Sequence, residues 1–145
     1  MDYIRESVEW LKNYKTLKSS IITMESELKD LEIELKHMGY KPIDYSGMPH
    51  GNYKIPDDEI CNRIVLRDKK ADALKKTKEK IEKLDMVLSK LDSEERDIIK
   101  LKFIDGLSYE EMASKLNLSY ASITRKKSEG LRKLSLQLWG IVPMI

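Results

Sequence analysis

The chain has 145 residues, 41% apolar and 36% charged, with a formal net charge of +2, enough for one domain or two small units. Its apolar residues recur at helical spacing, which excludes a disordered chain, and its single cysteine excludes an intrachain disulfide framework. No apolar run is long enough to cross a bilayer, and the charged opening Met1-Asp2-Tyr3-Ile4-Arg5-Glu6 does not read as a signal peptide, so a cytoplasmic protein with no membrane partner is expected.

From Tyr3 to Met38, apolar residues at Tyr3, Trp10, Tyr14, Leu17, Ile21, Met24, Leu28, Leu31, Leu35 and Met38 alternate by three and four, with Ser7 the one polar occupant of the series. That spacing is the seam of a coiled coil, and it predicts one helix over about 3–38, roughly 54 Å long. Residues 39–56 hold three of the four prolines and three of the six glycines, which ends the helix and makes a connecting loop. His37 and His50 have no partners at ligand spacing, so neither a metal nor a cofactor is expected, and Cys61 reads as a packed side chain. Asp57 or Asp58 caps a second helix that Ile60, Ile64, Ala71, Leu74, Ile81, Leu84 and Leu88 carry to about Lys90.

Two long helices joined by a loop fold back as an antiparallel hairpin, here over residues 1–90. Ile4, Val8, Leu11 and Ile22 lie off its seam. The first three are expected to pack on the leading helix of the next domain or on the tail at Trp139, while the seam beyond pairs with a second subunit to make a homo-oligomer. A self-sufficient hairpin with little dimer contact is the alternative.

Residues 91–145 form the second domain. Asp92 with Glu95 makes a capping box that opens a leading helix, which buries Ile98, Leu101 and Phe103 before Gly106 stops it. Ser108 with Glu111 makes another, so a helix starts at Tyr109, and Ser119 caps the next one eleven residues later. Asn117 sits at the corner between them, where positive φ is usually needed. Ala113 is small enough for a close crossing, and Ile123 points back into it beside Met112, Leu116 and Leu118. This is a helix-turn-helix. From Lys115 onward there are six basic residues and one acidic, so this end carries +5 while residues 1–114 sum to −3. Such asymmetry points to a polyanionic partner, double-stranded DNA.

The N-terminal turns of a second helix in the major groove meet base edges, and its flanks meet phosphate. Counting from the Ser119 cap, the expected base contacts are Tyr120, Ala121, Thr124, Arg125 and Ser128. Arg125 can take guanine O6 and N7 as a bidentate pair, while Ala121 and the Thr124 methyl can pack on a thymine methyl. Ser119, Ser122, Lys126, Lys127, Arg132 and Lys133 are the expected phosphate contacts.

The run from Leu91 to Leu134, beginning L-D-S-E-E-R-D-I-I-K-L-K-F-I-D-G-L-S-Y-E-E-M-A-S-K-L-N-L-S, resembles region 4 of sigma-70-type transcription factors. The whole chain also resembles small phage-encoded late-gene activators of the RinA and ArpU type. The resemblance implies promoter binding through the second helix and, in many members, contact with RNA polymerase. In typical region 4 domains the positions matching Tyr120, Ala121, Thr124 and Arg125 mostly carry longer, charged or amide side chains. Only Arg125 keeps that character, so the usual −35 promoter sequence is not assumed as the target. Lys126 and Lys127 also depart from a pattern that often has one apolar contact there.

The expected fold is therefore all-α: a long antiparallel, coiled-coil-like helical hairpin followed by a helix-turn-helix domain of sigma-70 region 4 type. The expected function is sequence-specific transcription regulation in a bacterium or phage. Alternatives are a DNA-packaging assembly protein resembling a small terminase subunit and a polymerase-docking module without base readout. An enzyme is not expected, because there is no glycine-rich phosphate loop, nucleophile elbow or paired-carboxylate constellation.

Overall fold

The computed structural model describes residues 2–40 and 58–140, and among these it is all-α, with no strand. The helices are α1 (Tyr3–Lys12), α2 (Tyr14–His37), α3 (Asp58–Ser89), α4 (Ser93–Ile99), α5 (Tyr109–Leu116) and α6 (Tyr120–Trp139), with a π-helical segment at Lys100–Ile104. The expectations placed on His50 and Asp57, and residues 41–56 of the expected connecting loop, lie outside the described residues. The chain groups into two compact units, Ser20–Lys78 and a second in which Met1–Ser19 joins Glu79–Ile145.

Within Ser20–Lys78, α2 and α3 run antiparallel. Glu34 pairs with Arg63 at 2.7 Å, Glu27 with Lys70 at 2.5 Å and Glu25 with Lys78 at 2.8 Å, so partners advance along α3 as they retreat along α2. Pairs this exposed set register more than they stabilise. Leu31, Leu35 and Leu74 are buried, whereas Ile22, Ile33, Val65 and Leu66 stay exposed. At the end of α2, Gly39 takes φ +83° and the Tyr40 N–H reaches back to the Leu35 carbonyl, the glycine-dependent closure of a helix end.

The unit that contains the helix-turn-helix begins with a departure from expectation. The helix predicted over 3–38 is two helices, interrupted at Asn13, whose φ of −88° and ψ of 0° lie outside the helical minimum. Asparagine competes with the helix for backbone hydrogen bonds, which is reason enough for a break without proline or glycine. α1 then packs on α6. Leu11 is fully buried with Leu84, Leu88, Ile99, Leu134 and Leu138, and Val8 and Trp139 pack against that core. Ile4, expected to join them, is 48% exposed instead, one turn too near the helix start to reach the core.

Ser7, the polar member of the seam, is fully buried. Its hydroxyl donates to the Tyr3 carbonyl at 2.8 Å and accepts from Ser135 Oγ and Trp139 Nε1, both at 3.0 Å. Trp139 also meets Trp10 edge-on at 5.1 Å and Tyr3 at 5.6 Å. Opposite, the Tyr14 phenol donates to Asp85 at 2.5 Å; partial burial and that hydrogen bond hold its pKa above the ordinary value.

A second core holds the helix-turn-helix together, formed by fully buried Ile98, Met112 and Ile123 with Leu101, Leu107, Leu116 and Leu118 around them. The π-helical segment lets one helical stretch serve both cores. Its wider turn, closed by Asp105 N–H to the Lys100 carbonyl at 2.9 Å, puts Phe103 and Ile104 against the first core while Leu101 stays with the second. Gly106 follows at φ +73° and ends the stretch. Where α6 crosses α4, Gly130 is the contact: a Cβ there would lie 3.2 Å from Glu95 Cβ and 3.3 Å from Ile99 Cγ1. A glycine that costs about 1 kcal/mol of helix propensity is what allows the approach.

Candidate nucleic-acid interface

Both helices of the motif start where their caps dictate. Ser108 Oγ accepts from the Glu111 N–H at 3.2 Å and α5 begins at Tyr109, with the Glu111 carboxylate on the serine hydroxyl rather than on the cap's N–H. Asn117 takes the left-handed conformation, φ +57° and ψ +43°, and its N–H closes on the Ala113 carbonyl. Ser119 Oγ then accepts from the Ser122 N–H at 3.2 Å and opens α6.

The leading helix departs from its expected cap. Asp92 makes no side-chain capping bond, and Glu95 does not turn back toward it. Glu95 is buried and receives Lys133 Nζ on both carboxylate oxygens, at 3.1 and 3.3 Å. A carboxylate that is nearly dry gains more from a cation than from completing a cap in solvent.

On α6 the inward residues Ile123, Gly130, Leu131, Leu134 and Leu138 are buried. Tyr120, Ala121, Thr124, Arg125 and Ser128 are all exposed, and their spacing puts them on one face of the helix. Among the described residues, Arg125 has no ion-pair partner, so its guanidinium projects from α6 uncommitted.

The expected phosphate contacts are differently placed. Ser119 is occupied as the cap and Ser122 is half-buried behind it. Lys126 pairs with Glu94 on α4. Arg132 pairs with Glu129 at 2.5 Å, and that hydrogen bond holds the carboxyl below its ordinary range. Lys133 is committed to Glu95, whose hydrogen bond raises the lysine's pKa, with Asp92 farther off at 3.8 Å. Lys127 has no carboxylate partner among the described residues; its ammonium donates to the Tyr109 hydroxyl at 2.6 Å. Lys102, from the π-helical segment, faces the same phenol, its Nζ 4.5 Å from the ring centroid. Reading the sequence did not single out Lys102 or Tyr109, because no local spacing relates position 102 to position 127.

Lys133 therefore offers a direct test of role. Lys133→Ala is expected to lower the unfolding midpoint by stranding the Glu95 carboxylate, while Glu95→Gln in the same chain recovers part of the loss. An unchanged midpoint with weakened DNA binding would make Lys133 a phosphate contact instead.

Two cores, two capped helices meeting at a left-handed corner and a solvent-facing second helix define the class: an all-α protein with a helix-turn-helix unit. Residues 81–134, from the last third of α3 through most of α6, match the family described as Sigma-70, region 4. No curated protein and no solved structure matches the chain. No helix among the described residues is long and apolar enough to cross a membrane, and none of their His, Cys, Asp and Glu side chains cluster as a metal site would require.

Proposed function

We propose that this chain is a sequence-specific DNA-binding transcription regulator of bacterial or phage origin, resembling the RinA- and ArpU-type activators and working in the cytoplasm. α6 lies in the major groove with Tyr120, Ala121, Thr124, Arg125 and Ser128 toward base edges, and the same unit contacts RNA polymerase. The observation that carries this reading is the outward face of α6. A helix-turn-helix matched by a sigma-70 region 4 family presents an arginine without a counter-ion among the described residues, while Lys126, Arg132 and Lys133 on the same helix are held by carboxylates. Homo-oligomerisation through the hairpin is part of the proposal, supported by exposed Ile22, Ile33, Val65 and Leu66 within Ser20–Lys78.

The test is selection of bound fragments from the source genome at moderate salt. One enriched site upstream of a gene cluster is the expected result. Even recovery of all fragments would replace regulation with a packaging role, and no recovery by a folded chain would leave polymerase docking without base readout.

A further inference from the structure

The Lys102, Tyr109 and Lys127 cluster differs in charge from its surroundings. Lys126, Arg132 and Lys133 each hold a carboxylate, whereas Lys102 and Lys127 make no ion pair among the described residues. Both ammonium groups nevertheless gather on one ring, Lys102 at 4.5 Å and Lys127 at 5.3 Å from the Tyr109 centroid. The ring quadrupole attracts both cations and the phenol oxygen accepts from Lys127 alone, and neither cancels the mutual repulsion of the two ammonium groups. All three side chains are half-buried, which restricts how far the lysines can swing apart. An arrangement of this kind is short of one anion.

We propose that Lys102, Tyr109 and Lys127 form a clamp for a phosphoryl oxyanion, filled by a backbone phosphate of duplex DNA; this rests on the DNA-binding function proposed above. The chemistry fits the ligand atom by atom. Lys127 donates to the phenol oxygen, which leaves the Tyr109 O–H free to turn outward and donate to a phosphate oxygen. Each ammonium has further N–H donors for the remaining oxygens. The helix end is not the source of attraction, because the first turn of α5 carries Glu110 and Glu111. The two lysines supply it. Position supports a phosphate on the DNA backbone rather than a base: Tyr109 is the first residue of α5, and the first helix of such a motif crosses the backbone while the second enters the groove. The π-helical segment brings in Lys102 from outside the motif, so one strand would be held from three elements at once.

The test is duplex binding by the full chain, titrated with potassium chloride, for the parent, Lys102→Gln, Lys127→Gln, Lys102→Arg and Tyr109→Phe, each checked for an unchanged unfolding midpoint. Each glutamine variant is expected to lower the slope of log affinity against log salt by about 0.9, equally on preferred and unrelated duplexes. Lys102→Arg should keep the slope, and Tyr109→Phe should weaken binding severalfold without changing it. A parental slope in both glutamine variants would overturn the clamp and leave DNA binding intact. Inorganic phosphate, added at constant ionic strength, distinguishes the source. Binding of phosphate by a chain that binds no duplex would place a free anion at the cluster and overturn the DNA assignment together with the proposed function.

Discussion

Replacing Ser7 by alanine is expected to destabilise the protein by about 1–3 kcal/mol, although only one oxygen is removed. That oxygen is the shared acceptor of Ser135 and Trp139, and the site is fully buried. Without it, the buried Ser135 hydroxyl and the half-buried Trp139 indole N–H both lose their acceptor and face a carbon atom. The more telling variant is Ser7→Leu. A coiled-coil seam with one polar gap should gain stability when the gap is filled with leucine. The structure requires the opposite, since a larger side chain meets α6 with no space to enter and the two donors still lose their acceptor. Urea unfolding separates the two accounts: a midpoint raised by Ser7→Leu would mean that α1 does not rest on α6 as described.

The same serine marks what the sequence could reveal and what it could not. Three-four periodicity identified the helices and assigned the seam, but it treats each helix as if its apolar face had one partner. α1 has the aromatic end of α6, more than a hundred residues away, and no local pattern encodes that. Asn13 is a comparable case. An asparagine inside a strong periodic run is weak evidence of a break, and the helix ends there at a residue whose propensity makes a departure from helical backbone cheap, while Leu11 and Val8 before it pack against the core that α6 shares. Some local signals with a local cause were read correctly. Ser108, Asn117 and Ser119 act within four residues of themselves, and the structure has all three as caps or corner.

Charge was harder to read than shape. Six cations near the C-terminus look equivalent as letters, yet their roles depend on which carboxylates α4 and α6 itself bring to them. Glu95 matched the capping-box spacing to Asp92 and was drawn instead to Lys133, 38 residues on, because burial makes the demand for a cation stronger than the demand for a cap. Gly130 was legible only as a helix-weakening residue, although its position three before Lys133 is what lets α6 come close enough for that pairing.

Arg125→Ala is expected to remove about 1–3 kcal/mol of discrimination at a single base pair, roughly five- to 150-fold in relative affinity, while general DNA affinity falls much less. The reason lies in the company Arg125 keeps. Ala121 and Ser128 are short, Thr124 offers a methyl and one hydroxyl, and only Tyr120 matches the reach of arginine on the exposed face. Selectivity should therefore be concentrated at one guanine, with weaker preference for thymine beside it, rather than spread over four or five positions. Arg125→Lys sharpens the test, because it keeps the charge and loses the planar fork. It should restore the salt dependence of the parent but not its preference for guanine. The measurement is affinity for the selected duplex and for a set with each base pair changed in turn. Equal losses on every duplex for Arg125→Ala, or full discrimination in Arg125→Lys, would show that this arginine meets phosphate and that base readout, if present, belongs to Tyr120.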